Sequence, residues 1–429
     1  MSARISRSDR QPVISNLAAR IIALVALAIA TVIVARTGGA KAVGVFSLLR
    51  VLPWLAGAIA SQGVVGAAPY FLSGPTRRDR NVGPTLLAMA IVSGLVAAAI
   101  WAIAAPWIED LFFKSVSVAA VAAAGSLVLT QLMESTAKAC AQGTGDMTGA
   151  NRVIVFEEVL YLPIYVFLLW VGLGQIKAMV AALAAGDVIN ASVAWARLAR
   201  RGLLAGGGKP NVSLAARIAR YGISAQVGSL LMLLNERLDF AIVAAIVGPA
   251  ALGVYAVASK LAELLRVPTT AVQYVLYPQY SRVGGEEAAK RARKMLRRAG
   301  WIPIALAFPL AAGAFALPLV YGGQFRSAIV PTLILLGGLA GAGVSSVVTA
   351  FLFADGRPGL NSIAAGAGVV VTISLDLVLI PRLGVKGAAI ASTVAYLTTS
   401  AAHLWFFRVA TRSHGARAPE APPLAEVTS

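Results

Sequence analysis

Charged side chains within long apolar stretches are the residues of this sequence that could do chemistry. A charge placed at the centre of a membrane helix costs at least ~2.5–3.5 kcal/mol on insertion scales, so such residues usually serve binding or ion movement. Cations there can hold an anionic ligand, and carboxylates can carry a proton or a metal cation. The candidate anion-binding cations are Arg20, Arg50, Arg237, Lys260 and Arg266, and the candidate ion-coupling carboxylates are Asp187, Glu236 and Asp239.

Most of these charges also have a purely structural interpretation. Lys260 could pair with Glu263 three residues on, and Glu134 could pair with Lys138 four residues on, because both spacings place side chains on one helix face. Asp187 has no charged neighbour in sequence. Two adjacent stretches hold charges that sum to zero, which suits an ion network locking two helices together: Glu236, Arg237 and Asp239 on the first, and Lys260, Glu263 and Arg266 on the second.

The stretches that must position these residues are typical of membrane helices. Hydrophobic residues make up 58% of the 429-residue chain and charged residues 13%, whereas soluble proteins carry about 25% charged residues. The runs 51–76, 81–108, 301–325 and 327–354 contain no Asp, Glu, Lys or Arg. Since roughly 20 such residues cross the hydrocarbon core, the sequence predicts an all-α integral membrane protein.

Breaking the chain at charged, Gly-rich or Pro-rich turns predicts twelve membrane-crossing segments, with no loop long enough to form a separate domain. The segments, numbered 1 to 12 in chain order, are 14–35, 43–72, 84–106, 116–139, 152–171, 177–197, 220–247, 251–280, 300–321, 327–354, 360–380 and 386–408.

The basic residues predict the orientation. The net charge of +19 comes from Lys and Arg in alternate loops, above all around 198–219 and 281–299. Cytoplasmic loops carry such an excess, so both termini are predicted to be cytoplasmic. The basic run Lys290 to Arg298 suits anionic lipid headgroups, and this placement of the charges excludes nucleic acid as the partner that +19 would suggest in a soluble protein.

The two halves of the chain repeat. An offset of 209 residues places Gly44-Val45-Phe46 on Gly253-Val254-Tyr255, and an offset of 210 places Asn151 on Asn361. Six segments per half predict two lobes related by a pseudo-two-fold axis along the membrane normal, with a central site between them. The predicted units are an N-terminal lobe over 1–210, a C-terminal lobe over 211–412 and a disordered cytoplasmic tail over 413–429.

The repeat singles out one pair of cations. At the offset of 209, Lys260 falls on Val51, one residue from Arg50. Both lobes therefore place a cation at about the same depth on equivalent segments, as a central anion site requires. The alternative is that Arg50 extends its guanidinium to the outer interface.

Enzyme signatures are absent from the sequence. It contains no HExxH, GxSxG or P-loop motif, and a single cysteine, Cys140, excludes an internal disulfide or a cysteine-based metal cluster. We expect no catalytic residues, no metal site and no cofactor. A membrane glycan polymerase or ligase is a different possible class, but it would need a substantial outer loop, and the predicted outer loops are short.

Several motifs resemble those of the polysaccharide and O-antigen flippases. The run 375–393, LDLVLIPRLGVKGAAIAST, is similar to the signature of their segments 11 and 12. The runs DFAIVAAIVGPAALGVY at 239–255, YPQY at 277–280 and DGRP at 355–358 resemble further patterns of this group. The group belongs to the multidrug, oligosaccharidyl-lipid and polysaccharide exporter superfamily.

The resemblance implies a function. It implies a flippase in the bacterial inner membrane that moves an undecaprenyl-diphosphate-linked oligosaccharide outward by alternating access, for surface or exopolysaccharide synthesis. The cations singled out above would hold the diphosphate, and a polysaccharide polymerase and chain-length machinery would be partners. The lipid II branch usually has two further helices and an arginine cluster on segment 1, where this chain has only Arg20 and Arg36. An ion-coupled multidrug exporter of the same superfamily is the alternative.

Overall fold

The computed structural model describes residues 7–73, 79–114 and 116–416, and these residues fold almost entirely into helices. They form twelve helical segments, several built from two consecutive helices, and one additional helix, Gly285–Ala299, between segments 8 and 9. Segments 1 to 6 are 7–38; 40–60 with Val64–Ser73; Val82–Phe112; Val118–Ala123 with Gly125–Gly143; Met147–Val159 with Tyr161–Trp170; and Gln175–Arg200. Segments 7 to 12 are Val212–Ile246; Pro249–Glu263 with Arg266–Val283; Trp301–Ala314 with Leu317–Tyr321; Ile329–Ala342 with Ser345–Ala354, preceded by the 3-10 helix Gly323–Ala328; Pro358–Leu383; and Val385–Ala416.

The fold confirms the predicted all-α membrane architecture. Within the described residues, seven helical stretches are long and apolar enough to cross a membrane, and the first, Ser15–Ala60, contains both segment 1 and most of segment 2. Segments 7, 8, 9 and 12 are not among those seven stretches. Segment 12 continues to Ala416, past the predicted lobe boundary at 412, and residues 417–429 of the predicted tail lie outside the described residues.

Segments 1 and 2 are joined by a kink instead of the predicted loop. Gly39 has φ 67° and ψ −162°, a conformation that favours glycine. A β-carbon at this position would also lie 2.6 Å from the side-chain nitrogen of Gln324. The Gln324 amide oxygen accepts a hydrogen bond from the Ala40 backbone N–H at 3.0 Å. The kink therefore places the start of segment 2 against the second half of the chain.

The ends of segments 2 and 8 that the predicted topology places outside, called the outer ends below, pack through a pair of glycines related by the sequence repeat. A β-carbon on Gly44 would lie 1.7 Å from the backbone oxygen of Pro249, and one on Gly253 would lie 1.8 Å from that of Ala40. The offset of 209 relates Gly44 to Gly253 and also Ala40 to Pro249. The two contacts are therefore counterparts under the pseudo-two-fold symmetry, and only small residues permit so close an approach of the backbones.

The inner contact between the halves is different. Leu214 and Ile218, at the start of segment 7, are buried in a cluster otherwise formed by segments 2, 3, 4, 5 and 6. Farther along segment 7, a β-carbon on Gly63 would lie 2.0 Å from the carbonyl carbon of Gly222. The ring centroids of Tyr70 and Tyr221 are stacked 4.3 Å apart. Segment 7 thus begins against the N-terminal half and joins the two halves at the cytoplasmic side of the predicted topology.

An acidic side chain anchors the predicted cytoplasmic turn between segments 4 and 5. Asp146 is 3% exposed, accepts hydrogen bonds from Arg197 at 2.6 and 2.9 Å, and lies 3.3 Å from Arg201. It also accepts the Gly149 backbone N–H at 3.0 Å, which caps segment 5. The hydrogen bond from Arg197 lowers the pKa of the Asp146 carboxyl below its ordinary value. This carboxylate therefore ties segment 5 to the end of segment 6 at neutral pH.

The helix Gly285–Ala299 has one buried face and one basic face. Ala288, Ala289 and Ala292 are buried against segments 8, 10 and 12. The exposed side carries Lys290, Arg291, Arg293, Lys294 and Arg297. Lys290 and Arg291 each pair with a glutamate one turn earlier, at 3.0 and 2.8 Å. The basic run predicted to face anionic lipid therefore lies on a helix whose other face packs on the protein.

The orientation can be tested with reporter fusions. We expect reporters at Gly206, Gly285 and the carboxy terminus to register the cytoplasm, and reporters at Lys114 and Gly323 to register the outside. The reason is the excess of basic residues in the loops assigned to the inside. Alkaline phosphatase and fluorescent-protein fusions give opposite signals at each site and check one another. A single loop on the wrong side would contradict the twelve-segment topology.

Candidate substrate cavity

A cavity of about 920 Å³ lies between the two halves of the protein. Residues from segments 1, 2, 4, 5 and 6 line one side, and residues from segments 7, 8 and 9 line the other. Its charged residues on the N-terminal side are Arg50, Glu134, Lys138, Glu157, Glu158 and Asp187, and those on the C-terminal side are Glu236, Arg237, Lys260, Glu263 and Arg266.

Arg50 and Lys260, the cations matched by the repeat, are neighbours in this cavity. Each lies 5.6 Å from the centroid of the Phe46 ring, measured from the guanidinium carbon and from Nζ respectively. Arg50 donates to Glu158 at 2.5 Å. The Lys260 ammonium donates across the boundary between the halves to Thr31 at 2.8 Å.

The predicted alternative, in which Lys260 pairs with Glu263, does not occur. Glu263 accepts two hydrogen bonds from Arg237, at 2.7 and 3.2 Å, and a third from Ser259 at 3.0 Å. In the described part of the chain, Lys260 has no carboxylate within ion-pair distance. Lys260 is therefore a half-buried cation without an ion-pair partner among the described residues.

Four of the six charges on segments 7 and 8 form two ion pairs between these segments, while Lys260 and Asp239 take part in neither. Arg237 pairs with Glu263, and Arg266 pairs with Glu236. Arg237 also lies 5.3 Å from the ring centroid of Phe240. Arg237 and Arg266 both line the cavity, but each is already matched by a carboxylate, so they are less available to a ligand than Lys260 is.

The predicted ion-coupling carboxylates lie in two different places. Asp187 is 5% exposed, lines the cavity and accepts a hydrogen bond from Thr130 at 3.1 Å. Glu236 lines the opposite wall. Asp239 is 3% exposed and points away from the cavity, where it accepts hydrogen bonds from Tyr255 at 2.5 Å and Ser392 at 3.1 Å. It does not join the cavity residues because segment 7 turns that face toward segments 8 and 12.

Arg20 also lies apart from the cavity. Its side chain is exposed and donates to Asn16 at 3.0 Å, one turn earlier on segment 1. Asn16 in turn donates to Asn151 on segment 5 at 2.7 Å. Position 20 is close enough to the predicted cytoplasmic end for a long side chain to reach water.

Sequence reasoning missed two carboxylates in the cavity wall, Glu157 and Glu158. Both lie within predicted segment 5, so the same signal that selected Asp187 could have found them. The pairing proposed for Glu134 and Lys138 is absent from the ion pairs of the described residues. The N-terminal wall therefore presents four carboxylates and two cations, and the C-terminal wall two carboxylates and three cations.

A second polar cluster, also missed, lies inside the C-terminal half. Asp376 is fully buried, and neither of its carboxylate oxygens has a hydrogen-bond partner among the described residues. The side-chain oxygens of Asn235, Thr372 and Thr399 are buried and unpartnered in the same part of the structure. A β-carbon at Gly368 would lie 2.3 Å from the Thr399 oxygen and 2.7 Å from the Asn235 oxygen, so these two groups converge.

Two lobes of six segments around a central charged cavity define the architecture of a secondary transporter. The sequence matches the family model described as "Polysaccharide biosynthesis protein" over residues 72–330, more than half of the chain. The protein therefore belongs to that polysaccharide biosynthesis family.

Individual relatives are distant. The probable low-salt glycan biosynthesis flippase Agl15 of Haloferax volcanii is 22% identical over 200 residues, which are 46% of this chain and 42% of that protein. An inward-facing multidrug resistance transporter of the MATE family superposes with a TM-score of 0.73 at 15% identity, covering 94% of this chain and 99% of the other. The lipid II flippase MurJ in its inward closed conformation gives 0.76 at 12% identity, covering 95% and 91%. The two solved structures establish the two-lobed fold.

Proposed function

We propose that this protein flips an undecaprenyl-diphosphate-linked oligosaccharide from the inner to the outer leaflet of the bacterial cell membrane. The family supports a role in polysaccharide synthesis, and the cavity supplies a cation whose charge is unmatched within the described residues. The proposal rests on one observation: Lys260 lies beside Arg50 at the boundary between the halves and has no ion-pair partner among the described residues. Its proposed partners are a polysaccharide polymerase, chain-length machinery and anionic lipids, and its proposed topology has both termini in the cytoplasm.

The chemistry of a diphosphate explains why such a cation would be needed. A diphosphate carries at least two negative charges, and moving it unpaired through hydrocarbon is prohibitive. The Lys260 ammonium has three N–H donors, of which one is used on Thr31. Arg50 can exchange part of its contact with Glu158 for a phosphate oxygen, since a guanidinium binds both carboxylate and phosphate oxygens through charge-assisted hydrogen bonds. Arg237 and Arg266 are the next cations along the same wall, and Arg20 would contact the headgroup only at the cytoplasmic entrance.

The test is to neutralise the two matched cations one at a time. In Arg50→Ala and Lys260→Ala, we expect glycan export to fall about tenfold or more, because a hydrogen bond to a charged group contributes ~1.5–3 kcal/mol. Lipid-linked glycan should accumulate on the inner leaflet while the protein level in the membrane stays near normal. Lys294→Ala on the exposed helix removes one positive charge outside the cavity and serves as the control.

Normal export by both variants at normal protein level would contradict the proposal. Loss of protein from the membrane would instead indicate a structural role. For Arg50, that role can be checked by adding Glu158→Gln, which removes the carboxylate left without its partner.

A multidrug exporter is the second candidate, and one observation favours it. The N-terminal wall of the cavity holds four carboxylates against two cations, and carboxylates suit cationic drugs. If the protein is a multidrug exporter, cells that produce it should resist cationic dyes, and Asp187→Asn or Glu157→Gln should abolish that resistance. Glycan export would then be unaffected by Lys260→Ala.

A further inference from the structure

A second pocket, at the predicted cytoplasmic face, is separate from the central cavity. It measures about 390 Å³ and is lined by Tyr70, Phe71, Arg217, Arg220 and Tyr221. None of these residues lines the central cavity. On segments 2 and 7, the cavity-lining residues nearest to the pocket in sequence are Trp54 and Glu236. The two linings share no residue, so the pocket is distinct from the central cavity.

The pocket combines two cations with an aromatic pair. Arg217 and Arg220 are three residues apart on segment 7, a spacing that brings side chains together on one helix face. Across the described ranges, neither guanidinium forms an ion pair with a carboxylate. Tyr70 and Tyr221 stack with centroids 4.3 Å apart and planes 17° apart. The positive-inside rule explains arginines in a cytoplasmic loop, but it does not explain why they share a cavity with stacked tyrosines.

The position of the pocket couples its occupant to the conformation of the protein. Tyr70 and Phe71 belong to segment 2, whereas Arg217, Arg220 and Tyr221 belong to segment 7. These two segments also make the close Gly63–Gly222 contact that joins the halves at this end. A ligand held between them binds best while the two segments are together, so its release is coupled to their separation, which opens the path to the central cavity.

We propose that this pocket is a diphosphate-binding site at the cytoplasmic gate, where a lipid-linked diphosphate headgroup docks before it enters the central cavity. Two guanidinium groups match the forked acceptors of a diphosphate. The exposed tyrosine rings offer an apolar face to the first sugar. The headgroup assignment rests on the proposed export function, whereas diphosphate binding itself does not.

Residue-resolved chemical protection tests the site. The full chain is placed in nanodiscs of zwitterionic phosphatidylcholine and treated with phenylglyoxal, which condenses with accessible guanidinium groups. Peptide mass spectrometry then reports the modification rate of each arginine. Inorganic pyrophosphate should slow modification of Arg217 and Arg220 about tenfold, as expected for charge-assisted bidentate contacts, while Arg200 and Arg293 react at an unchanged rate. Equal protection at all four positions, or none at Arg217 and Arg220, would overturn the proposal.

Two further arms identify the source of the diphosphate. Undecaprenyl diphosphate incorporated in the bilayer should protect Arg217 and Arg220 at lower total concentration than soluble uridine diphosphate does. The reverse order would retain a diphosphate site but overturn its role in docking the lipid-linked substrate. Arg50→Ala protein should still show the pyrophosphate protection, so a failure of the export proposal would leave this result standing.

A pair of double variants connects the pocket to transport. The double variant Arg217→Gln with Arg220→Gln should slow initial export severalfold. In the unmodified protein, bound pyrophosphate should protect Tyr221 from iodination in a saturable way, and this protection should be lost in the double variant. Arg293→Gln with Arg297→Gln removes the same charge from the exposed helix and should do neither. Equal slowing by both pairs would show a general effect of surface charge and would contradict a specific docking site.

Discussion

Replacing Gly44 by alanine should abolish most export without removing the protein from the membrane. The new β-carbon would lie 1.7 Å from the Pro249 backbone oxygen, so the outer ends of segments 2 and 8 must separate. Overpacking of a tight contact costs ~1–3 kcal/mol, enough to shift a two-state equilibrium by about tenfold to a hundredfold. Because the contact joins the two halves, that free energy acts against the state in which the outer end is closed.

The repeat supplies both a second test and a control. Gly253→Ala creates the symmetry-related clash, with its β-carbon 1.8 Å from the Ala40 oxygen, and should have the same effect. Gly66→Ala, also on segment 2, meets nothing within 4 Å and should export normally. A cysteine introduced at Ser47, which is 4% exposed and lines the cavity, should become reactive to an impermeant thiol reagent from outside only in the first two variants. Unchanged reactivity and unchanged export in Gly44→Ala would show that the contact is not part of an outer gate.

The fold could be predicted from the sequence because its signals are local. Apolar runs define membrane segments wherever they occur, and all twelve predicted segments match helical segments in the structure. The offset of 209 residues relates Gly44 to Gly253 in the sequence. It does not predict that the two glycines pack at one contact, because an offset does not tell which equivalent segments lie next to each other. The break of segment 2 at Ser61–Gly63 and the kink at Gly39 depend on the same inter-lobe packing.

The cavity was harder to predict because charge pairing is decided in three dimensions. Lys260 and Glu263 are spaced for an ion pair on one segment. The Glu263 carboxylate instead accepts two hydrogen bonds from the guanidinium of Arg237, which belongs to another segment. Glu158 was overlooked, although it is the partner of Arg50. Asp376 lies in the run 375–393 that resembles a family motif, but the sequence gives no sign that it is buried without a hydrogen-bond partner. The sequence also does not reveal that Asn235, more than a hundred residues away, has an unpartnered oxygen in the same half.

Two sets of buried carboxylates are the candidates for coupling transport to an ion. Asp187 lines the cavity near the middle of segment 6 and has one hydrogen bond, from Thr130. Asp376 lies in the C-terminal half with no hydrogen bond from the described residues, and Asp239 nearby accepts from Tyr255 and Ser392. A proton carrier has to exchange with water in the cavity, which favours Asp187. Asp376, which is buried without a hydrogen-bond partner among the described residues, is the second candidate.

The substitution Asp187→Asn should therefore abolish accumulation driven by a proton gradient while leaving substrate binding and downhill exchange measurable. The amide keeps the size of the side chain but cannot gain or lose a proton, so the cycle can still carry substrate without coupling it to an ion. Proteoliposomes loaded with fluorescent lipid-linked glycan allow both measurements, with and without an imposed pH gradient. Asp110→Asn, at an exposed carboxylate near the outer end of segment 3, is the matched control.

If Asp187→Asn accumulates substrate normally and Asp376→Asn instead removes a dependence on sodium, the coupling site lies in the C-terminal half and Asp187 serves the cavity wall. Loss of exchange as well as accumulation in Asp187→Asn would assign it to substrate binding, because an uncoupled carrier still equilibrates its substrate.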